Sequence, residues 1–153
     1  MKKTNTVYLE LPAPEAAFSR ATLISHSDMD MIYVSGTASV GSRRETLHRG
    51  DFEAQCRRAY QNVEGILEAE RFLLQDVVKW TIYLKEMKYY ARFNKVRSRF
   101  FRDRGISPCA STCVEAKLCR PDLLVEMEAV AIRPAGRKYR FSSRAYRRAR
   151  PAT

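Results

Sequence analysis

Apolar residues recur at two different spacings along this chain, and the order of those spacings leaves few ways to fold it. Across residues 51–70, Phe52, Cys56, Tyr60, Val63 and Leu67 return every three or four positions, which places them on one stripe of a helix. Arg57, Arg58, Gln61, Glu64 and Glu68 fall largely outside that stripe. Asp51, after Gly50, is positioned as the N-cap, because its carboxylate can accept an N–H that the first turn leaves unpaired. Over residues 78–85 the spacing drops to two. Val78, Trp80, Ile82 and Leu84 point one way and Lys79, Thr81, Tyr83 and Lys85 the other, which predicts a half-buried strand. Residues 89–101 return to helical spacing through Tyr89, Phe93, Val96 and Phe100. Residues 109–116 and 123–132 then read as two strands joined by KLCRPD.

Upstream, residues 20–25 and 31–35 are strand candidates, the second rich in β-formers and ended by Gly36. Residues 1–17 read as an extended, Pro-containing lead-in, and 36–50 as a long loop or hairpin. The order β-β-α-β-α-β-β predicts an α+β fold, a mixed sheet with both helices on one face. In the last strand Leu123, Val125, Met127 and Ala129 share one face, and Leu124, Glu126, Glu128 and Val130 the other. Leu124 and Val130 would then lie on the uncovered face, so self-association is expected.

The formal net charge is +11, but residues 137–153 hold seven cations and no acid. The reading is therefore one domain, residues 1–136, with a basic, disordered extension over 137–153. The opening MKKTNTVYLELPAP has no apolar stretch of the kind a secretory leader needs, and no apolar run is long enough to span a membrane. A cytoplasmic location without membrane association is expected. Cys109, Cys113 and Cys119 are spaced C-x3-C-x5-C, which matches no zinc knuckle, so free thiols and no metal or cofactor are expected. His26 and His48 are isolated and are read as loop or surface residues, with a pocket-rim role open for His48.

Seven segments, FSRA, YVSGTAS, GDFEAQCRRAYQNVEGILEA, DVVKWTIYLKEM, YARFNKVRSRFF, CASTCVEAKL and LLVEMEAVAI, appear in an order and spacing that resembles the YjgF/RidA (endoribonuclease L-PSP-like) family across residues 18–134. The resemblance implies a chorismate-mutase-like fold and a homotrimer with clefts between neighbouring subunits. It also implies hydrolysis of reactive enamine or imine acids. By position, the cleft glutamate falls on Glu126, the Ser-Gly turn on Ser35 and Gly36, the helix asparagine on Asn94 and the cleft cysteine on Cys113. The chain departs from the pattern at two places. Phe18 stands where an aromatic hydroxyl is expected, and Ser111 stands where the family carries its carboxylate-binding arginine. SGTASV, ETLHRGD and LCRPDLLVEMEA are also similar to the C-terminal half of chorismatases, which would bring Cys119, Arg120 and Glu126 to a pocket.

Glu126 lies in an apolar strand, where burial would raise its pKa and suit it to proton transfer. Cys113 reads more readily as a small buried hydrophobe than as a nucleophile. Arg120 is the candidate to replace the arginine missing at 111. Without a planar fork at 111, weak 2-imino-acid deaminase activity is expected, or activity on a ring acid such as chorismate. Two alternatives stay open. One is a ligand-binding protein without turnover that uses the same cleft. The other is nucleic-acid association through the tail, where Tyr139, Phe141 and Tyr146 interleave with the arginines.

The tail reading has a direct check. A chain ending at Gly136 is expected to give the same circular dichroism spectrum and the same mass by light scattering as the full chain. Loss of either would make the tail a docked arm.

Overall fold

The structure, a computed structural model, describes residues 1–6 and 18–136. The extension over 137–153 and most of the lead-in lie outside the described residues. The strands are β1 (Lys2–Thr6), β2 (Ala21–Ser25), β3 (Met29–Ala38), β4 (Val77–Leu84), β5 (Ala110–Glu115) and β6 (Val125–Pro134). They form one sheet in the order β1-β2-β3-β6-β4-β5. Among the described strands only β4 and β5 run parallel, and the crossover that joins them contains a helix. The sheet is therefore mixed, as expected.

Helix α1 (Phe52–Ala69) begins where the sequence places it, with Asp51 Oδ1 accepting the Ala54 N–H at 3.0 Å. Its whole predicted stripe is buried. Helix α2 (Tyr90–Arg102) packs beside it on the same face and buries Phe93, Phe100 and Phe101. Tyr60 of α1 is the centre of that packing. Its ring stacks on Phe100 at 4.5 Å between centroids and meets Trp80 of β4 edge-on at 5.2 Å. Offset and edge contacts of this kind are the favoured ring geometries. Ile32, Val34, Ile82, Leu84, Val125, Met127 and Ala129 complete the layer beneath the helices.

Four expectations are corrected. Lys2–Thr6 is not only an extended lead-in but a strand paired antiparallel with β2. Strand β3 runs on through Gly36 to Ala38, where the sequence reading places a loop. A register shift between Val77 and Lys79 turns Val78 outward, 43% exposed, and buries Val77 in its place. The extra residue of a bulge reverses the alternation on one side of it. Leu124 is buried rather than on the open face. It precedes β6, so the strand's alternation does not govern it, and its N–H is held by Gln55 Oε1 at 2.9 Å. Val130 does lie on the open face and is half-buried.

Two buried amides of α1 tie the loops to this frame. Gln55 Nε2 donates to the Asp122 carbonyl at 2.9 Å, and Asn62 Nδ2 donates to the carbonyls of Ala38 and Val40. Gln55→Leu strands the Leu124 N–H and the Asp122 carbonyl. Each unpaired buried group costs about 1–3 kcal/mol. A urea unfolding midpoint unchanged by this substitution would contradict that account.

Candidate functional site

Glu126 stands on the open face of β6, paired with Ala38 of β3 on one side and Tyr83 of β4 on the other. Strand β3 bulges between Val34 and Thr37, and Gly36 lies in the bulge. A side chain at 36 would run into the Glu126 carboxylate, so glycine is what gives the acid room. Ser35 donates its hydroxyl to the Ser19 carbonyl at 2.8 Å and its N–H to the Arg20 carbonyl at 3.0 Å. The Ser-Gly turn thereby fastens the segment that carries Phe18 and Arg20. Phe18 is 46% exposed, and the Arg20 guanidinium lies 5.2 Å from its ring centroid.

Burial pushes the Glu126 carboxyl up from its ordinary value; nearby Glu128 adds to the rise and Arg20 opposes it. Desolvation favours the uncharged acid, and like charge does the same. Such a carboxyl can take a proton from water and return it closer to neutral pH than an exposed one can. Tyr83 completes this wall, its hydroxyl donating to Glu128 Oε2 at 3.1 Å.

Arg120 lies toward the same end. Its Nη1 donates to the Arg44 carbonyl at 2.5 Å and reaches Thr46 Oγ1 at 3.4 Å, and Thr46 in turn donates to Asp122 at 2.9 Å. Arg20 sits close enough to Arg44 and Arg120 for both to lower its pKa, after burial, which lowers it most. Cys119 is exposed on the turn before Arg120.

Ser111 and Cys113 are elsewhere. They pair with Trp80 and Ile82 of β4, so they share the helix side of the sheet, while Glu126 is on the opposite side. Within one copy of the chain these candidates cannot reach a common small molecule. What Ser111 does meet is Arg97, a residue the sequence reading passes over. Arg97 projects from α2 and donates from Nη1 to Ser111 Oγ at 3.1 Å and from Nη2 to Asn94 Oδ1 at 2.6 Å. Its guanidinium also lies 5.3 Å from the Phe93 ring centroid. The signal was available, since Arg97 lies three residues after Asn94 and therefore on the same side of the helix. Cys113 is half-buried, and that burial pushes its thiol pKa up, with Arg97 opposing the rise. Among the described residues no cluster of three metal-ligating side chains forms. No helix among them is long and apolar enough to cross a membrane.

The fold agrees with that of known proteins. The sequence profile of the family described as Endoribonuclease L-PSP matches residues 9–133. A RutC family protein of Pyrococcus abyssi is 34% identical over 120 residues, covering 78% of this chain and 89% of its own. The 2-iminobutanoate/2-iminopropanoate deaminase of Escherichia coli is 32% identical over 104 residues, covering 68% and 80%. The crystal structure of the YjgF gene product of Escherichia coli superposes with a TM-score of 0.73 at 26% identity, covering 85% of this chain and 98% of that one. The chain belongs to the endoribonuclease L-PSP, or YjgF/RidA, family.

The shift at Glu126 makes stability depend on pH. Its folded pKa lies above its unfolded value, so the folded state holds the proton more tightly. Its favourable contribution is complete below the ordinary value of 4.5 and is lost as pH rises through the raised folded value. Glu126→Gln removes the titration. Its melting temperature relative to the parent is therefore expected to rise between pH 4 and pH 7. An offset that is the same at both pH values would show that the carboxyl carries no such penalty.

Proposed function

We propose that this protein hydrolyses small 2-imino or enamine acids in a cleft completed by a neighbouring copy within a homotrimer. The observation that carries the reading is Glu126, a carboxyl half-buried against Gly36 with its pKa raised by that burial. The deaminase name of a relative 32% identical supports the substrate class. The opposite-face placement of Glu126 and Ser111 supports the second copy, because only a neighbour could bring the two sides to one substrate. Tyr33 and Val114, exposed at 45% and 39% on the open face, supply apolar surface for that contact.

In the proposed reaction a water molecule bonds through oxygen to C2 of the imino acid while Glu126 takes one of its protons. The C=N π pair moves to the nitrogen, which takes a proton from solvent and becomes an amine on a tetrahedral carbon. The C–N bond then breaks as Glu126 gives its proton to the leaving nitrogen, the hydroxyl oxygen forms the C=O bond and loses its proton to solvent, and ammonia and a 2-oxo acid are released. No oxidant or cofactor enters the balance. A ring acid gripped by Arg120 is less well supported, because the deaminase name of the relative points to an imino acid.

Glu126→Ala is expected to lower kcat for ammonia release from 2-iminobutanoate, generated in situ, by about 10²-fold or more, with KM little changed. Light scattering is expected to give three times the mass of one chain. Native turnover no faster than uncatalysed hydrolysis would overturn the enzymatic reading. A one-chain mass at micromolar concentration would overturn the shared cleft.

A further inference from the structure

The cleft beside β5 has a charge pattern that none of the residues assigned so far explains. It encloses about 380 Å³ and is walled by Trp80, Phe101, Ile106 and Pro108, with Arg97 and Arg102 as its charged groups and no acid in its lining. Arg102 has Asp103 at 4.0 Å. Arg97 has no carboxylate partner within ion-pair distance among the described residues; both its contacts, Asn94 Oδ1 and Ser111 Oγ, are neutral oxygens. Two neutral acceptors orient a guanidinium without neutralising it. A guanidinium has five N–H donors, so about three remain for an incoming ligand, enough for a two-point grip. Phe93 lies along one side of the guanidinium and further restricts it.

We propose that Arg97 is the residue that binds the substrate's carboxylate, with Asn94 and Ser111 as the positioning residues that aim it. This rests on the hydrolase reading above for the identity of the substrate, although the anion site itself does not. The short side chain at 111 then has a role of its own. It is the acceptor that holds a guanidinium arriving from the helix rather than from the strand. The apolar walls suit an acid with a hydrocarbon body, and the small volume suits a monocarboxylate. A carboxylate is favoured over a phosphate because a single two-point grip with neutral supports matches one planar, singly charged group.

The test uses the full chain with 2-oxobutanoate as the probe, titrated by calorimetry, and 2-iminobutanoate hydrolysis followed in parallel. Arg97→Ala is expected to weaken 2-oxobutanoate binding at least tenfold and to raise KM. Arg97→Lys should restore only part of the loss, since it keeps the charge but not the fork. The double variant Arg97→Ala with Ser111→Arg returns a guanidinium to the strand and is expected to recover binding, which a merely structural role for Arg97 would not allow. Circular dichroism verifies that each variant is folded. If Arg97→Ala leaves binding and KM unchanged while Arg120→Ala abolishes them, the proposal is overturned and the hydrolase reading stands. If the parent chain binds 2-oxobutanoate through Arg97 but shows no turnover, the anion site stands and the hydrolase reading falls. Inorganic phosphate binding more tightly than 2-oxobutanoate would overturn the carboxylate assignment.

Discussion

Successive side chains of a strand point to opposite faces, and β4 is where that rule divides this molecule. Trp80, Ile82 and Leu84 lie under the helices, while Lys79, Thr81 and Tyr83 lie on the open side. Strand β6 pairs with one edge of β4 and β5 with the other, so both inherit its two sides. Glu126 follows Tyr83 to the open face, and Ser111 and Cys113 follow Trp80 and Ile82 to the helix side. No rotamer change moves a side chain through a sheet. An active centre that uses both sets would need the open face of one copy to meet the edge of another.

The helix side carries the aromatic packing, and the open side carries Glu126. Tyr60, Phe93, Phe100, Phe101 and Trp80 form a contiguous ring cluster beneath the cleft of Arg97, so the base of that cleft has little freedom to rearrange. Gln55 and Asn62 carry the same frame into the loops. Each satisfies backbone groups that would otherwise be buried without partners, and together they hold the end of β3 and the approach to β6. Glu126 therefore sits on a strand whose entry is held by α1, against a bulge whose far end α1 also holds. Charge follows the same division. Glu126 and Glu128 share the open face with Tyr83, whereas the cleft beside β5 presents arginines without acids.

Much of the architecture was legible because two periods of apolar residues are hard to confuse over long segments. The stripe on α1, its Asp51 cap and the alternation of β6 all appear in the structure where the pattern puts them. Glu126, Ser35 and Gly36 were legible through the family pattern, and the structure brings those three together. Val78 was misplaced because a bulge adds one residue and leaves no mark in the pattern. Leu124 was misplaced because the strand begins two residues later than its apolar run. Strand β1 was missed because KKTNT has no apolar alternation, and only its pairing with β2 makes it a strand.

The sequence by itself determined which segments are helices and strands, that one face of the sheet would be covered, and that a carboxyl would stand in an apolar strand. These are local properties, set by spacing and side-chain chemistry. It also revealed a loss, the arginine missing from position 111. Only the tertiary structure placed the Arg97 guanidinium against Ser111. Arg97 and Ser111 lie 14 residues apart, on a helix and a strand that come together only when α2 folds back over β4 and β5 meets the edge of β4. The same holds for Arg20 beside Glu126 and for Gly36 beneath its carboxylate. Periodicity governs each element alone, whereas a site depends on distances between elements that only packing sets.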